Sequence, residues 1–340
     1  MAARAPCALV WVRILLAAGV SLAGQHPALG HQAPREAPTE AVGEAKGEAA
    51  APALLVTGHE VFQALVKSPD VTEAGAGLEW RFLLLNDRSV NAHSDSKGTV
   101  WVGGGLAEML GQDRGLWAAV LSHEVAHCLL RHSSLGLTAL HRAFPYVFGK
   151  VLRDREHRAD FTGMMLMARA GYHPDSLFVL HHLLRAAHGE RPGAVAFFGS
   201  HPRWQTREQR LEQALPEAVA AFTQAWPDAA ASPGGPPPLV VFLGKPRVVE
   251  DRDRKLSRIL VPLSCRNAAE PVTVLVQFEP KHPEVRTTIS CADRAGSEVE
   301  VELRADQFAV QKLQARVEVL RADGAVRAVS PRFSVVLPER

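Results

Sequence analysis

Two hydrophobic rhythms divide the chain. From residue 54 to residue 228 apolar positions recur mostly three or four residues apart, the spacing that lines one face of a helix. Leu116–His132, Val151–Ala170 and Asp175–His188 read as helices, Val61–Val66 as a shorter one and Thr206–Ala225 as a more polar one. Trp80–Leu85 is an apolar run of strand length broken only by Arg81, and Thr99–Val102 is a β-rich run that leads into a turn at Gly103, Gly104 and Gly105. Beyond Pro238 the pattern changes to short strand-like runs at Leu239–Leu243, Ile259–Leu263, Val272–Phe278, Val285–Ser290, Val299–Leu303, Ala315–Leu320 and Phe333–Leu337. Turn residues separate them at roughly regular spacing, which predicts a small β-sandwich. The fold class is therefore α+β: a mainly helical domain with a small sheet, followed by an all-β, sandwich-like domain.

Composition sets the boundaries. Residues 25–53 are rich in Ala, Glu, Pro and Gly without aromatic or β-branched periodicity, so they read as a disordered linker. Residues 229–238, AAASPGGPPP, have the small, Pro-rich make-up of a second linker, leaving 54–228 and 239–340 as the two domains. Residues 1–24 combine Arg4, an apolar run from Cys7 to Leu22 and small residues at Ala23 and Gly24, the pattern of a secretory signal peptide. Arg13 within the run disfavours a stable membrane span, and Gln25 stands where a lipidated cysteine would have to follow Ser21, Leu22, Ala23 and Gly24. An exported chain is expected, periplasmic or secreted, and membrane-associated only if this segment is retained. In such a compartment Cys265 and Cys291, on two candidate strands, are able to form a disulfide; two buried free thiols are the alternative. A hydrophobic share of 47% and a charged share of 22% belong to a globular protein, and a net charge of +2 with scattered basic residues argues against nucleic acid as a partner.

The chemistry centres on His123, Glu124 and His127. Two histidines four residues apart on a helix share a face and can converge on one tetrahedral ion. Val120, Leu121, Val125, Ala126, Leu129 and Leu130 flank them, which sets the imidazoles in a partly buried helix where they need partners, unlike a His-rich surface helix. Glu124 can then place its carboxylate near the open fourth position, take a proton from zinc-bound water and pass it to a leaving amine. A third ligand is offered by Glu156 within DREHRAD, with Asp160 one turn on as a carboxylate that orients a histidine ligand, on a helix able to fold back antiparallel. His157 is a rival ligand, but on a helix it points about 100° away from Glu156. The expected cofactor is one zinc ion per chain. Cys128, next to His127, points away from the metal and reads as core.

Four pieces in order along the chain resemble the gluzincin metallopeptidases, the family that includes HtpX-like, CAAX-prenyl-protease-like and BepA-like endopeptidases. They are Asn91 and Ala92 followed by GTVWVGGGL at 98–106, SHEVAHCLLRH at 122–132, EHRAD at 156–160, and SHP at 200–202 with Arg207 six residues after His201. The resemblance covers about Leu54–Trp226. It implies a zincin-type metallopeptidase fold, His123, His127 and Glu156 as zinc ligands, Glu124 as general base, and Asn91 and Ala92 on a strand that flanks substrate. It further implies that His201 and Arg207 stabilise the oxyanion of the tetrahedral intermediate. His93 and the polar stretch Ser94–Lys97 depart from the family pattern and bear on substrate preference. The connection from His127 to Glu156 holds no long apolar span, which argues against the membrane-embedded branch.

The function these features imply is a zinc-dependent endopeptidase acting on proteins or peptides, with envelope protein quality control as the role suggested by analogy. Two other readings compete. One is a zinc-containing, chaperone-like module whose β-domain holds a partner. The other is a latent peptidase plugged by one of its own loops, such as the loop that carries His201.

Overall fold

Among the described residues, three short strands and seven helices build the first part of the chain, and nine strands build the second. The computed structural model describes residues 50–132, 145–188, 204–251, 253, 256–279, 284–290, 297–304, 308 and 312–337, which lie in one unit spanning Ala45–Arg340. The expected signal peptide, most of the first linker, Cys291 and the segment with His201 lie outside the described residues.

The helices are α1 (Ala50–Val66), α2 (Pro69–Ala74), α3 (Gly104–Leu110), α4 (Arg114–Leu129), α5 (Pro145–Arg169), α6 (Ser176–His188) and α7 (Trp204–Ala225). Helix α1 begins inside the stretch expected to be linker. Alanines favour helix there, and Leu54, Val61, Phe62 and Leu65 bury its inner face in the common core. Helix α4 runs through the centre of that core, with Leu116, Trp117, Val120, Leu121 and Val125 all buried.

Strands β1 (Arg81–Leu85), β2 (Ala92–Ser94) and β3 (Thr99–Gly103) form a sheet in the order β1-β3-β2, with β1 parallel and β2 antiparallel to β3. Strand β3 does not end in a turn: it passes directly into α3 at Gly104. Glycine is required by close backbone approach. A Cβ on Gly104 would lie 2.3 Å from the Asp87 carbonyl oxygen, and one on Gly105 2.5 Å from that of Arg88. Strand β2 is an edge strand among the described residues. The Asn91 carbonyl and the Asp95 N–H bond across to β3, so the intervening pattern turns the N–H and C=O of Ala92 and Ser94 toward the open edge.

The second part is a sandwich. Strand β6 (Leu256–Arg266) pairs with β4 (Val240–Leu243) and β5 (Arg247–Asp251) on one side and β9 (Ser297–Arg304) on the other. Strand β10 (Lys312–Leu320) pairs with β11 (Val326–Val329) and β12 (Phe333–Val336) on one side and β7 (Val272–Glu279) on the other, and β7 pairs with β8 (Val285–Ile289). Ile259, Val261, Val274, Val276, Val317 and Val319 from the two sheets share one core. Strands β5 and β11 were not among the expected runs; β5 is a mostly exposed edge with charged residues, so it carries little apolar alternation to read. Cys265 is disulfide-bonded, and Cys128 is a free, buried thiol.

The Pro-rich stretch between the two parts is folded. Ala229–Ala231 forms a 3-10 turn, the Gly234 N–H donates to the Gly171 carbonyl at 2.9 Å, and the Ser232 hydroxyl donates to Ala229 and Gly235. Val240 joins the helical core. Arg266 lies over the rings of Phe178 and Phe242 and pairs with Asp175 at 3.2 Å and Glu212 at 3.0 Å. Among the described residues no helix is long and apolar enough to cross a membrane.

Candidate metal centre

Helix α4 brings His123 and His127 to one face, and α5 supplies Glu156. Their donor atoms form a triangle: His123 Nε2 and His127 Nε2 are 3.0 Å apart, and each is 3.5 Å from Glu156 Oε2. Metal–ligand bonds of about 2.0–2.2 Å in a tetrahedron place donors roughly 3.4 Å apart, so two imidazoles and a carboxylate in this array fit zinc with one position to spare. His157 is not part of the cluster. The His127 side chain is 14% exposed against 3% for His123 and 7% for Glu156, which puts the accessible side of the triangle at His127.

The approach of α5 depends on Gly163. A Cβ there would lie 3.0 Å from both the His123 nitrogen and the Ser122 carbonyl carbon, so the two helix backbones touch one turn beyond Asp160. That contact lets Glu156 and Asp160 reach the same histidine. Asp160 Oδ1 lies 3.0 Å from His123 Nδ1, leaving Nε2 to face the triangle. Arg207, on α7, holds the Asp160 carboxylate in turn, with Nε donating to Oδ2 at 2.8 Å and Nη2 donating to Oδ1. All three groups are buried.

The electrostatics follow. Burial opposes charge on Asp160, but the Arg207 guanidinium and His123 hold its carboxyl well below the usual range. Burial opposes charge on His123 as well; hydrogen bonds with Asp160 and Glu156 outweigh it and push the metal-free imidazole up to about 9. His181 sits buried on α6, where desolvation and the Arg207 charge hold it neutral, well below its ordinary value. Burial and the neighbouring His127 lower His132 to about 4. Burial pushes the Cys128 thiol up to about 12, and its Sγ donates to the Asp95 carbonyl, as suits a core residue.

Glu124 follows His123 on α4 and is buried. Its Oε2 accepts from the Ser94 hydroxyl at 2.8 Å, and its Oε1 has no hydrogen-bond partner among the described residues, a buried acceptor suited to a water or substrate proton. Ser94 ties the catalytic-type helix to the open edge of β2. Ala92 is buried on that strand, and Asn91 just precedes it. The structure gives Arg207 a partner the family resemblance did not name, Asp160, because a fork of guanidinium donors matches a buried carboxylate.

Three features of the site were not read from the sequence. Ser94 lay in a stretch noted only for its polarity. Gly163 gives no signal without the helix it touches. The helical pattern was carried through His132, whereas α4 ends at Leu129 and the chain reverses at Arg131, with φ of 52°, so that His132 Nδ1 meets His127 Nδ1 at 3.2 Å.

Comparison with known proteins bears on the same region. Residues 58–148 and 134–215 match the family model described as peptidase family M48. The chain is 32% identical over 178 residues to the mitochondrial metalloendopeptidase OMA1 of Schizosaccharomyces pombe, covering 44% of this chain and 52% of that protein. It is 26% identical over 193 residues to OMA1 of Saccharomyces cerevisiae (48% and 56%) and 28% identical over 170 residues to OMA1 of Arabidopsis thaliana (44% and 34%). The chain thus spans about half the length, or less, of these curated relatives. They overturn the expectation of an exported, periplasmic or secreted protein, since all three are mitochondrial by name. The signal-like reading had a physical weakness: Arg4, Arg13 and Arg35 with no acidic residue before Glu36 is also the charge pattern of an organelle leader. Residues 58–215 are thus similar in sequence to peptidase family M48, and His123, His127 and Glu156 within them form a donor set that suits zinc.

Proposed function

We propose that this chain is a zinc-dependent endopeptidase with His123, His127 and Glu156 as ligands and Glu124 as general base. The observation that carries the reading is the donor triangle together with a buried Glu124, next to His123 on the same helix, whose Oε1 has no hydrogen-bond partner among the described residues. Zinc, when bound, supplies Lewis acidity at the open position, toward water and a substrate carbonyl. Glu124 takes a proton at Oε1 while Ser94 fixes Oε2, and returns the proton to the leaving amine. The outward N–H and C=O groups of Ala92 and Ser94 hold an extended peptide by adding it to the sheet edge, which selects unfolded or flexible segments. Asp160 and Arg207 keep His123 in the tautomer that ligates through Nε2. His201 is the proposed donor to the oxyanion. The peptidase domain spans 54–228, and the β-domain 239–340 packs against it and extends the surface available to substrate.

The test is cleavage of unfolded casein by purified full chain, with and without zinc, beside Glu124→Gln. Wild type should cleave only with zinc, and Glu124→Gln should retain zinc and lose at least about a hundredfold in rate, as expected for removal of a general base. If both proteins bind zinc and neither cleaves, the chaperone-like reading replaces this one.

A further inference from the structure

Helix α4 ends in a way that serves its second ligand. The Leu130 N–H bonds to the Ala126 carbonyl, the Arg131 N–H to that of Cys128 and the His132 N–H to that of His127, at 2.9, 3.1 and 2.9 Å. This is the Schellman closure, in which the residue at the Arg131 position adopts left-handed backbone and is usually glycine. Arg131 adopts it at φ 52°, against the preference of a side-chain-bearing residue. The turn brings the half-buried His132 ring beneath His127, with centroids 5.2 Å apart at 64° and the two Nδ1 atoms at 3.2 Å. His132 therefore holds both the backbone carbonyl and the ring of His127.

Ligation through His127 Nε2 requires the proton of that ring on Nδ1. Nδ1–H then donates, and His132 Nδ1 accepts with its own proton on Nε2. We propose that His132 is a positioning residue for the zinc ligand His127, filling for that imidazole the part Asp160 fills for His123. One ligand is thus oriented by a carboxylate and the other by a neutral imidazole. The accessible edge of the site is set by the His132 contact, since His127 is the more exposed ligand. The inference rests on the ligand set proposed above.

The experiment is zinc titration of metal-stripped full chain against a competing chelator, with the visible spectrum of the cobalt(II) form as a second readout. His132→Ala and His132→Leu should weaken zinc binding about 10- to 100-fold, the usual effect of losing an oriented outer partner, and should shift the cobalt bands. The thermal midpoint of the metal-free protein should stay near wild type, because the backbone bond to His127 survives. His132→Asn, whose Oδ1 can stand where Nδ1 stands, should restore most of the affinity and the wild-type spectrum. Wild-type affinity in His132→Ala, or an Asn variant no better than Leu, overturns the proposal. If the Ala variant does not fold, the Asn and Leu pair decides. A wild-type chain that takes up no zinc overturns the ligand set itself, and is told apart by that control.

Discussion

Arg327, on strand β11 of the sandwich, donates to Asp113 at 3.0 Å, and Asp113 is the residue that caps the metal-site helix α4 by accepting from the Leu116 N–H. The β-domain therefore holds the end of the helix that carries His123, Glu124 and His127. Arg327 is buried, and its partner is only partly so. Asp113→Ala should lower the unfolding free energy by about 3 kcal/mol, the low end for stranding a buried charge. Asp113→Asn keeps a capping side chain and should recover about 1 kcal/mol of that loss. Urea unfolding of the two variants checks the order; equal losses would show that the cap contributes nothing.

Asp160 and Arg207 act as a unit behind His123. Asp160→Asn should weaken zinc binding about 10- to 100-fold. Arg207→Met should weaken it too, and the double variant should lose less than the sum of the singles, because the two groups form one network. Chelator competition on the three proteins gives the coupling. An Arg207→Met chain with wild-type zinc affinity and a collapsed kcat would instead assign Arg207 to the oxyanion.

Stability of the metal-free protein should depend on pH through His123. Its folded value, pushed up to about 9, exceeds the ordinary 6.5, so the proton is held more tightly in the folded state. The stability this contributes is fully present below about 6.5 and is lost as pH rises through about 9, on the order of 3 kcal/mol at most for a shift of that size. Zinc requires the deprotonated imidazole, so zinc-saturated protein should lack this alkaline loss. Thermal unfolding from pH 6 to about 9.5 with and without zinc tests the sign; a metal-free midpoint that rises over that range contradicts it.

Gly163→Ala probes the helix crossing. The added methyl meets the backbone of Ser122 and His123 at 3.0 Å, where no side-chain movement relieves it. The variant should lose about 1–3 kcal/mol of stability, as overpacked cores do, and should bind zinc more weakly because Glu156 is carried away from the histidines. Titration calorimetry and unfolding together check it. A variant with unchanged zinc affinity would mean that α5 yields by sliding and keeps the ligand in reach.

The elements legible in the sequence were those set by local periodicity. The cores of α4, α5 and α6 and most sandwich strands lie where apolar spacing put them, because burial on one face imposes a period of 3.6 or 2. Strand β5 escaped notice because an exposed edge imposes no such period. The start of α1 was hidden by alanine and proline, whose composition alone does not tell a helix end from a linker.

By itself the sequence determined the candidate ligand types and their intervals: histidines one helical turn apart, a carboxylate one residue along, and two more acidic groups one turn apart on a later helix. Those are facts of a single helix and need no partner to be read. Only the tertiary structure decided that Gly163 lets α5 touch α4, that Arg207 donates to Asp160, that Ser94 holds Glu124 and that a left-handed Arg131 folds His132 under His127. Each of these joins residues on different elements or across a helix end, where direction is set by packing and chain reversal, and no local pattern along the chain carries that direction.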